Sequence, residues 1–143
     1  MTRRRIVLDA NILIRAVLGK HVGRLLIEFS GTVDFCTPTV AFDDAQAHLP
    51  RIMAKHGIAP ETSFLGIEAV RGLVKEIPAE ITDPLRKEAL IRIGGRDPDD
   101  WPIIAAALAL GCPIWTEDKD FFGTGLPVWT SDLIEVYLQA DSL

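Results

Sequence analysis

Residues 6–14, Ile6-Val7-Leu8-Asp9-Ala10-Asn11-Ile12-Leu13-Ile14, constrain this chain more than any other stretch. A parallel strand buried on both faces reads as an unbroken apolar run. Here that run meets one acid and one amide before apolar residues resume. A carboxylate at that point stands at the carboxyl edge of the sheet, where open α/β sheets bind ligands. Asn11 is placed to cap the helix that follows. Asp9 could do no more than end a strand and cap a helix, but acids recur later in equivalent places.

The rest of the chain alternates helix-like and strand-like segments. A first helix runs to about Leu18 with Gly19 as its stop, and residues 20–29 bury Val22, Leu25, Leu26 and Phe29. Residues 32–37 read as a second strand closed by Pro38. A longer helix follows from Thr39, with Ala41, Ala45, His48, Leu49, Ile52 and Met53 as its apolar stripe and a kink expected at Pro50. Asp44 lies at the edge of that stripe and Asp43 almost opposite it, so Asp44 is the better candidate to face the sheet's edge. Both could instead serve the helix dipole. Residues 60–74 read as a helix burying Phe64, Ile67, Val70 and Leu73, and residues 76–78 as a very short strand. Asp83 and Pro84 start a further helix that ends at Gly94-Gly95.

The second informative stretch is Arg96-Asp97-Pro98-Asp99-Asp100-Trp101-Pro102-Ile103-Ile104-Ala105-Ala106-Ala107-Leu108. Asp97 or Asp99 can cap a helix that Gly111 terminates. Asp100 precedes Ile103 and Ile104 by three and four residues, so it heads the buried stripe. Residues 113–116 form a short strand, and Glu117-Asp118-Lys119-Asp120 follows at once. Residues 126–129 read as a last strand, at an edge because of Pro127. A helix capped by Thr130 or Ser131 then carries Leu133, Ile134, Tyr137 and Leu138.

This alternation predicts one domain over residues 1–143, an α/β/α sandwich around a parallel sheet of four to five strands. No run approaches a membrane span, and the apolar core of the N-terminal segment is too interrupted for a signal peptide. Cys36 and Cys112 beside strand-like runs fit buried free thiols in a reducing cytoplasm, and no metal-site spacing of Cys or His suggests zinc.

The net charge of -5 conceals an asymmetry. Residues 1–56 carry eight Lys or Arg against five acids, whereas residues 97–143 carry nine acids and one lysine, Lys119. Asp9, Asp44, Asp100 and Asp118 all fall at strand ends or helix starts, which share one edge in such a sheet. Converging carboxylates repel unless they are protonated or joined by a cation. Oxygen-only ligands point to Mg²⁺ or Mn²⁺, and phosphodiester hydrolysis is the chemistry such a site supports economically.

On the order and spacing of VLDANIL, DPDDWPIIAAAL and IWTEDKDF, the chain resembles the PIN domain family of metal-dependent nucleases with a Rossmann-like sheet. The resemblance implies metal ligands at Asp9, Asp100 and Asp118, with Asp44 as a further catalytic acid. It implies accessory roles for Asn11, Asp97, Thr116 and Asp120. It also implies an endoribonuclease acting on RNA, a homodimer, and the toxin role of a bacterial toxin–antitoxin pair with a protein antitoxin. The family's second acid is usually Glu, and this chain has Asp43-Asp44 there. That departure leaves open a catalytically degraded domain that binds RNA or a protein. A haloacid-dehalogenase-like phosphatase would need a second Asp where this chain has Asn11. An acidic protein needs local basic groups to hold RNA. Lys20 and Arg24 after the first helix are the candidates, with residues 3–5, Arg51 and Lys55 behind them.

Overall fold

The computed structural model describes residues 3–140. Strand β1 (Arg4–Leu8) leads into helix α1 (Ala10–Leu18) and then α2 (His21–Phe29). Strand β2 (Val33–Pro38) follows, with α3 (Thr39–Lys55) and α4 (Ser63–Arg71). Next come β3 (Lys75–Ile77), α5 (Ala79–Thr82), α6 (Arg86–Ile93) and α7 (Trp101–Leu110). Strands β4 (Ile114–Trp115) and β5 (Val128–Trp129) and helix α8 (Ile134–Gln139) complete the order.

The five strands form one sheet in the order β3-β2-β1-β4-β5, and every pairing is parallel. The expected α/β/α sandwich is therefore present, with β5 at the edge. The chain adds β2 and β3 on one side of β1 and then returns to add β4 and β5 on the other. The order reverses between β1 and β4, and a crevice opens at the carboxyl end of such a switch point. Asp9 is the first residue beyond β1 there.

Ile6, Val7 and Leu8 are fully buried because β1 is the central strand, with neighbours on both edges and helices on both faces. Helices α1 to α4 pack against one another, while α7 packs on β1 and β2 with α5 and α6 beyond it. That double contact explains why α7 has no polar face in its first two turns: Pro102 to Ala107 are all buried. Its small alanines let it approach the sheet closely, and it ends where Gly111 takes a left-handed conformation at φ 62° and ψ 44°. Thr37, fully buried, donates from Oγ1 to the Leu8 carbonyl at 2.7 Å, tying β2 to the end of β1.

Several local expectations are corrected. Asp9, not Asn11, caps α1: its Oδ1 accepts from the Ile12 amide at 3.0 Å. Helix α3 continues through Pro50; His48 is exposed and Phe42 takes a core position in its place. The expected helix over residues 60–74 divides into one 3₁₀ turn, Pro60–Thr62, and α4. Within α4, Ser63 turns inward and Phe64 outward, so a propensity for burial yields to the position on the helix. Asp83 makes no capping bond and follows the unforeseen α5. Helix α8 starts later than expected: Thr130 bonds Asp132, Ser131 accepts from the Trp115 indole, and Leu133 is exposed.

Candidate metal centre

The carboxyl edge at the switch point gathers a cleft of about 90 Å³ lined by Asp9, Asn11, Asp44, Asp99, Asp100 and Asp118, among others. Each acid arrives by a different local device. Asp9 is held by capping α1, and its other oxygen accepts from the Thr116 hydroxyl just past β4. Thr116 is fully buried, and its Oγ1 also accepts from the Asp118 amide at 2.9 Å. One hydroxyl thus couples the acids that follow the two central strands. Asp118 in turn accepts from the Asp120 amide at 2.9 Å, which fixes the turn that presents both side chains.

Asp97 does the same work on the other side. Its Oδ1 accepts from the Asp99 amide at 3.0 Å and starts the 3₁₀ turn Pro98–Asp100 that feeds α7. Asp100 closes that turn. Its Oδ2 is buried and has no hydrogen-bond partner. Carboxylate oxygens of Asp100, Asp118 and Asp120 lie within 4.8 Å of one another, close enough to share an ion.

The electrostatics follow from this crowding. Burial pushes the Asp9 carboxyl up from its ordinary value, against the lowering effect of the Thr116 and Ile12 hydrogen bonds. Asp100 is pushed up to about 7, first by burial and then by Asp97, Asp118, Asp9 and Asp120. Among the described residues, no salt bridge reaches any of these acids. The donor set therefore suits a hard divalent cation: oxygen only, negatively charged, with one buried oxygen still lacking a partner.

Of the sequence candidates, the structure brings Asp9, Asn11, Asp44, Asp100 and Asp118 to one cleft, and Asp44 rather than Asp43 lines it. Asp120 joins Asp100 and Asp118 more closely than its accessory placing suggested. Asp97 shapes the turn that presents Asp100. Lys20 and Arg24 are exposed and do not line the cleft; Arg24 instead lies 3.4 Å from the His21 ring.

Three contributors went unnoticed in the sequence. Thr37 anchors the carbonyl preceding Asp9. Arg92, in the last turn of α6, and Arg96, at the start of the acid-rich stretch, donate to the Thr124 and Phe122 carbonyls and tie down the loop behind Asp118 and Asp120. Residues spaced 26 and 32 apart leave no local signature.

An open parallel sheet with an acid-lined crevice at its switch point defines the class as a doubly wound α/β domain with a candidate ligand site at the carboxyl edge. The PIN domain family model matches residues 7–139, and the chain belongs to that family. Among solved structures, the chain is similar to PAE2754 from Pyrobaculum aerophilum at 15% identity and a TM-score of 0.69, with 96% of this chain and 91% of that one covered. It is similar also to VapBC2 from Rickettsia felis, solved bound to a DNA fragment from their promoter. That match has 14% identity and a TM-score of 0.66, with 88% of this chain and 98% of that one covered. At such identities these likenesses establish the fold alone. No curated protein matches the chain.

Proposed function

We propose that this protein is a Mg²⁺- or Mn²⁺-dependent endoribonuclease, acting as the toxin of a toxin–antitoxin pair. The observation that carries the reading is the Asp100 Oδ2 atom, buried without a partner beside two further carboxylates. An unsatisfied buried acceptor costs about 1–3 kcal/mol, and a cation within reach removes that cost. Membership of the PIN domain family and the likeness to a VapBC complex support the nuclease and toxin roles.

In this reading Asp100, Asp118 and Asp120 hold the ion, with Asp9 beside them. A bound divalent cation supplies Lewis-acid stabilisation of charge on the phosphate oxygens. The protein's own contribution is positional. Asp9 is immobilised by Ile12 and Thr116, so its carboxylate is pre-oriented. Asp44 and Asn11 line the open side of the cleft, where they can orient water or the sugar. The shorter side chain of Asp44, where the family usually has Glu, places it to act through water.

A basic antitoxin suits an acidic nuclease of net charge -5. A homodimer and a cytoplasmic site of action complete the proposal. The buried free thiols Cys36 and Cys112 accord with a reducing compartment. Among the described residues, no helix is long and apolar enough to cross a membrane.

The test is cleavage of a mixed RNA pool with Mn²⁺, with and without chelator. Cleavage should need the metal and fall at least about a hundredfold in Asp9→Asn, which should still fold. Equal cutting by that variant would overturn the reading.

A further inference from the structure

A second cavity of about 380 Å³ adjoins the acidic cleft and shares Val40, Asp44, Asp99 and Pro102 with it. It lies beyond the carboxyl ends of β2 and β3, under the starts of α3, α5 and α7. One set of walls is apolar: Pro38, Val40, Ile77 and Pro102, with the Trp101 indole alongside them. The polar set is unusual, because among the described residues no Lys, Arg or His lines it. It consists of Asp44, Asp83 and Asp99 together with the Thr39 and Thr82 hydroxyls. Both hydroxyls already donate, Thr39 to Glu76 at 3.1 Å and Thr82 to the Ala79 carbonyl at 3.4 Å. What these five side chains still offer is acceptor lone pairs.

The lining selects the ligand. An anion is repelled by three carboxylates and finds no cationic side chain. A purely apolar group leaves carboxylates desolvated at its edge. A flat, neutral group with N–H donors on its rim satisfies both walls, and in a nucleic acid that is a nucleobase. Unstacked bases are commonly read by an aromatic side chain together with hydrogen bonds to the Watson–Crick edge. Trp101 can provide the first, and the Arg86 guanidinium lies over its ring 5.3 Å from the centroid.

We propose that this cavity is a nucleobase subsite for the residue flanking the scissile phosphate, and that it prefers guanine. Guanine presents N1–H and the N2 amino group side by side, a pair that one carboxylate accepts bidentately. Adenine and cytosine present one amino group each beside an acceptor. Uracil presents a single N–H between two carbonyls, which face the carboxylates unfavourably. The biological role of the subsite rests on the ribonuclease reading, but its chemistry does not require the metal, because a nucleoside carries no phosphate.

The experiment is therefore ligand-observed NMR titration of the full chain with guanosine, inosine and uridine in the presence of chelator. Guanosine should bind about fivefold or more tightly than uridine, with inosine, which lacks the 2-amino group, between them. Trp101→Ala and Asp83→Asn should each weaken guanosine by about fivefold, while Trp101→Phe retains most of the binding. Asp83 is exposed, so its variant tests the site even if Trp101→Ala fails to fold. Equal affinities for guanosine and uridine would overturn the proposal, as would undiminished guanosine binding by Asp83→Asn. Guanosine selectivity without RNA cleavage would keep the subsite and reject the nuclease. Cleavage without base selectivity would do the reverse.

Discussion

Asp34 in β2 and Asp100 at the head of α7 are both partly buried aspartates, and they sit in opposite electrical surroundings. Asp34 lies toward the amino end of the sheet, where Arg3 approaches it at 2.7 Å and Lys75 at 3.2 Å. Burial acts to raise its carboxyl, but the hydrogen bonds from Arg3 and Lys75 outweigh it and the pKa ends below its ordinary value. Asp100 lies at the carboxyl end with four other acids acting on it, and among the described residues no salt bridge answers them. One end of the sheet is electrostatically complete within the protein. The other end carries an acidic cluster whose charge no salt bridge among the described residues offsets. Burial of each large aliphatic side chain in the β1 core stabilises by about 1.5–3 kcal/mol, and that core lets the chain tolerate the incomplete end.

The comparison can be sharpened by variants at each end. Asp100→Asn should abolish tight Mn²⁺ binding, the largest effect, and with it RNA cleavage. In the metal-free protein the same variant should be more stable, raising Tm by about 3 °C in a thermal melt. The gain is well below what full burial would give, because Asp100 is part-solvated. Asp34→Asn should do the reverse: stability falls by about 1 kcal/mol, Tm drops, and Mn²⁺ affinity stays unchanged by calorimetry.

The pH dependences should also carry opposite signs. Asp100 binds its proton more tightly folded than unfolded, so its contribution is favourable at low pH and is lost as pH rises from 3.8 to about 7. Asp34 releases its proton more readily when folded, so its contribution is present above 3.8 and is lost as pH falls through its lowered folded value. Denaturant midpoints measured from pH 4 to 8 should slope downward less in Asp100→Asn than in the parent. The smallest expected effect is Lys75→Ala. Its side chain is 69% exposed, so the loss should be slight and should vanish in high salt.

Much of this arrangement was legible in the sequence because it rests on local patterns. The apolar run of β1, the acid that follows it and the all-apolar α7 report burial directly, and burial identified the parallel sheet. Asp9, Asp100 and Asp118 were recognisable because each stands at the junction of two periodicities. What was hidden depends on distant partners. The Thr116 hydroxyl was given only an accessory role, yet it bonds Asp9 across 107 residues of sequence separation and holds the Asp118 amide as well. Which oxygen of Asp100 is buried, and that Asp120 gathers with it and Asp118, follow from turn geometry that no spacing rule encodes. Helix caps failed for the same reason: Asn11 and Asp83 have the right chemistry, but the backbone at Asp9 and at α5 had already settled those helix starts.

Isothermal titration of the metal-free protein with Mn²⁺ tests the central claim most directly, that the carboxyl edge is a cation site awaiting its ion. The parent and Asp34→Asn should bind with the same affinity, and Asp100→Asn should show at least about a hundredfold loss. An Asp100→Asn variant that binds Mn²⁺ as the parent does, or a parent that binds none, would contradict the account.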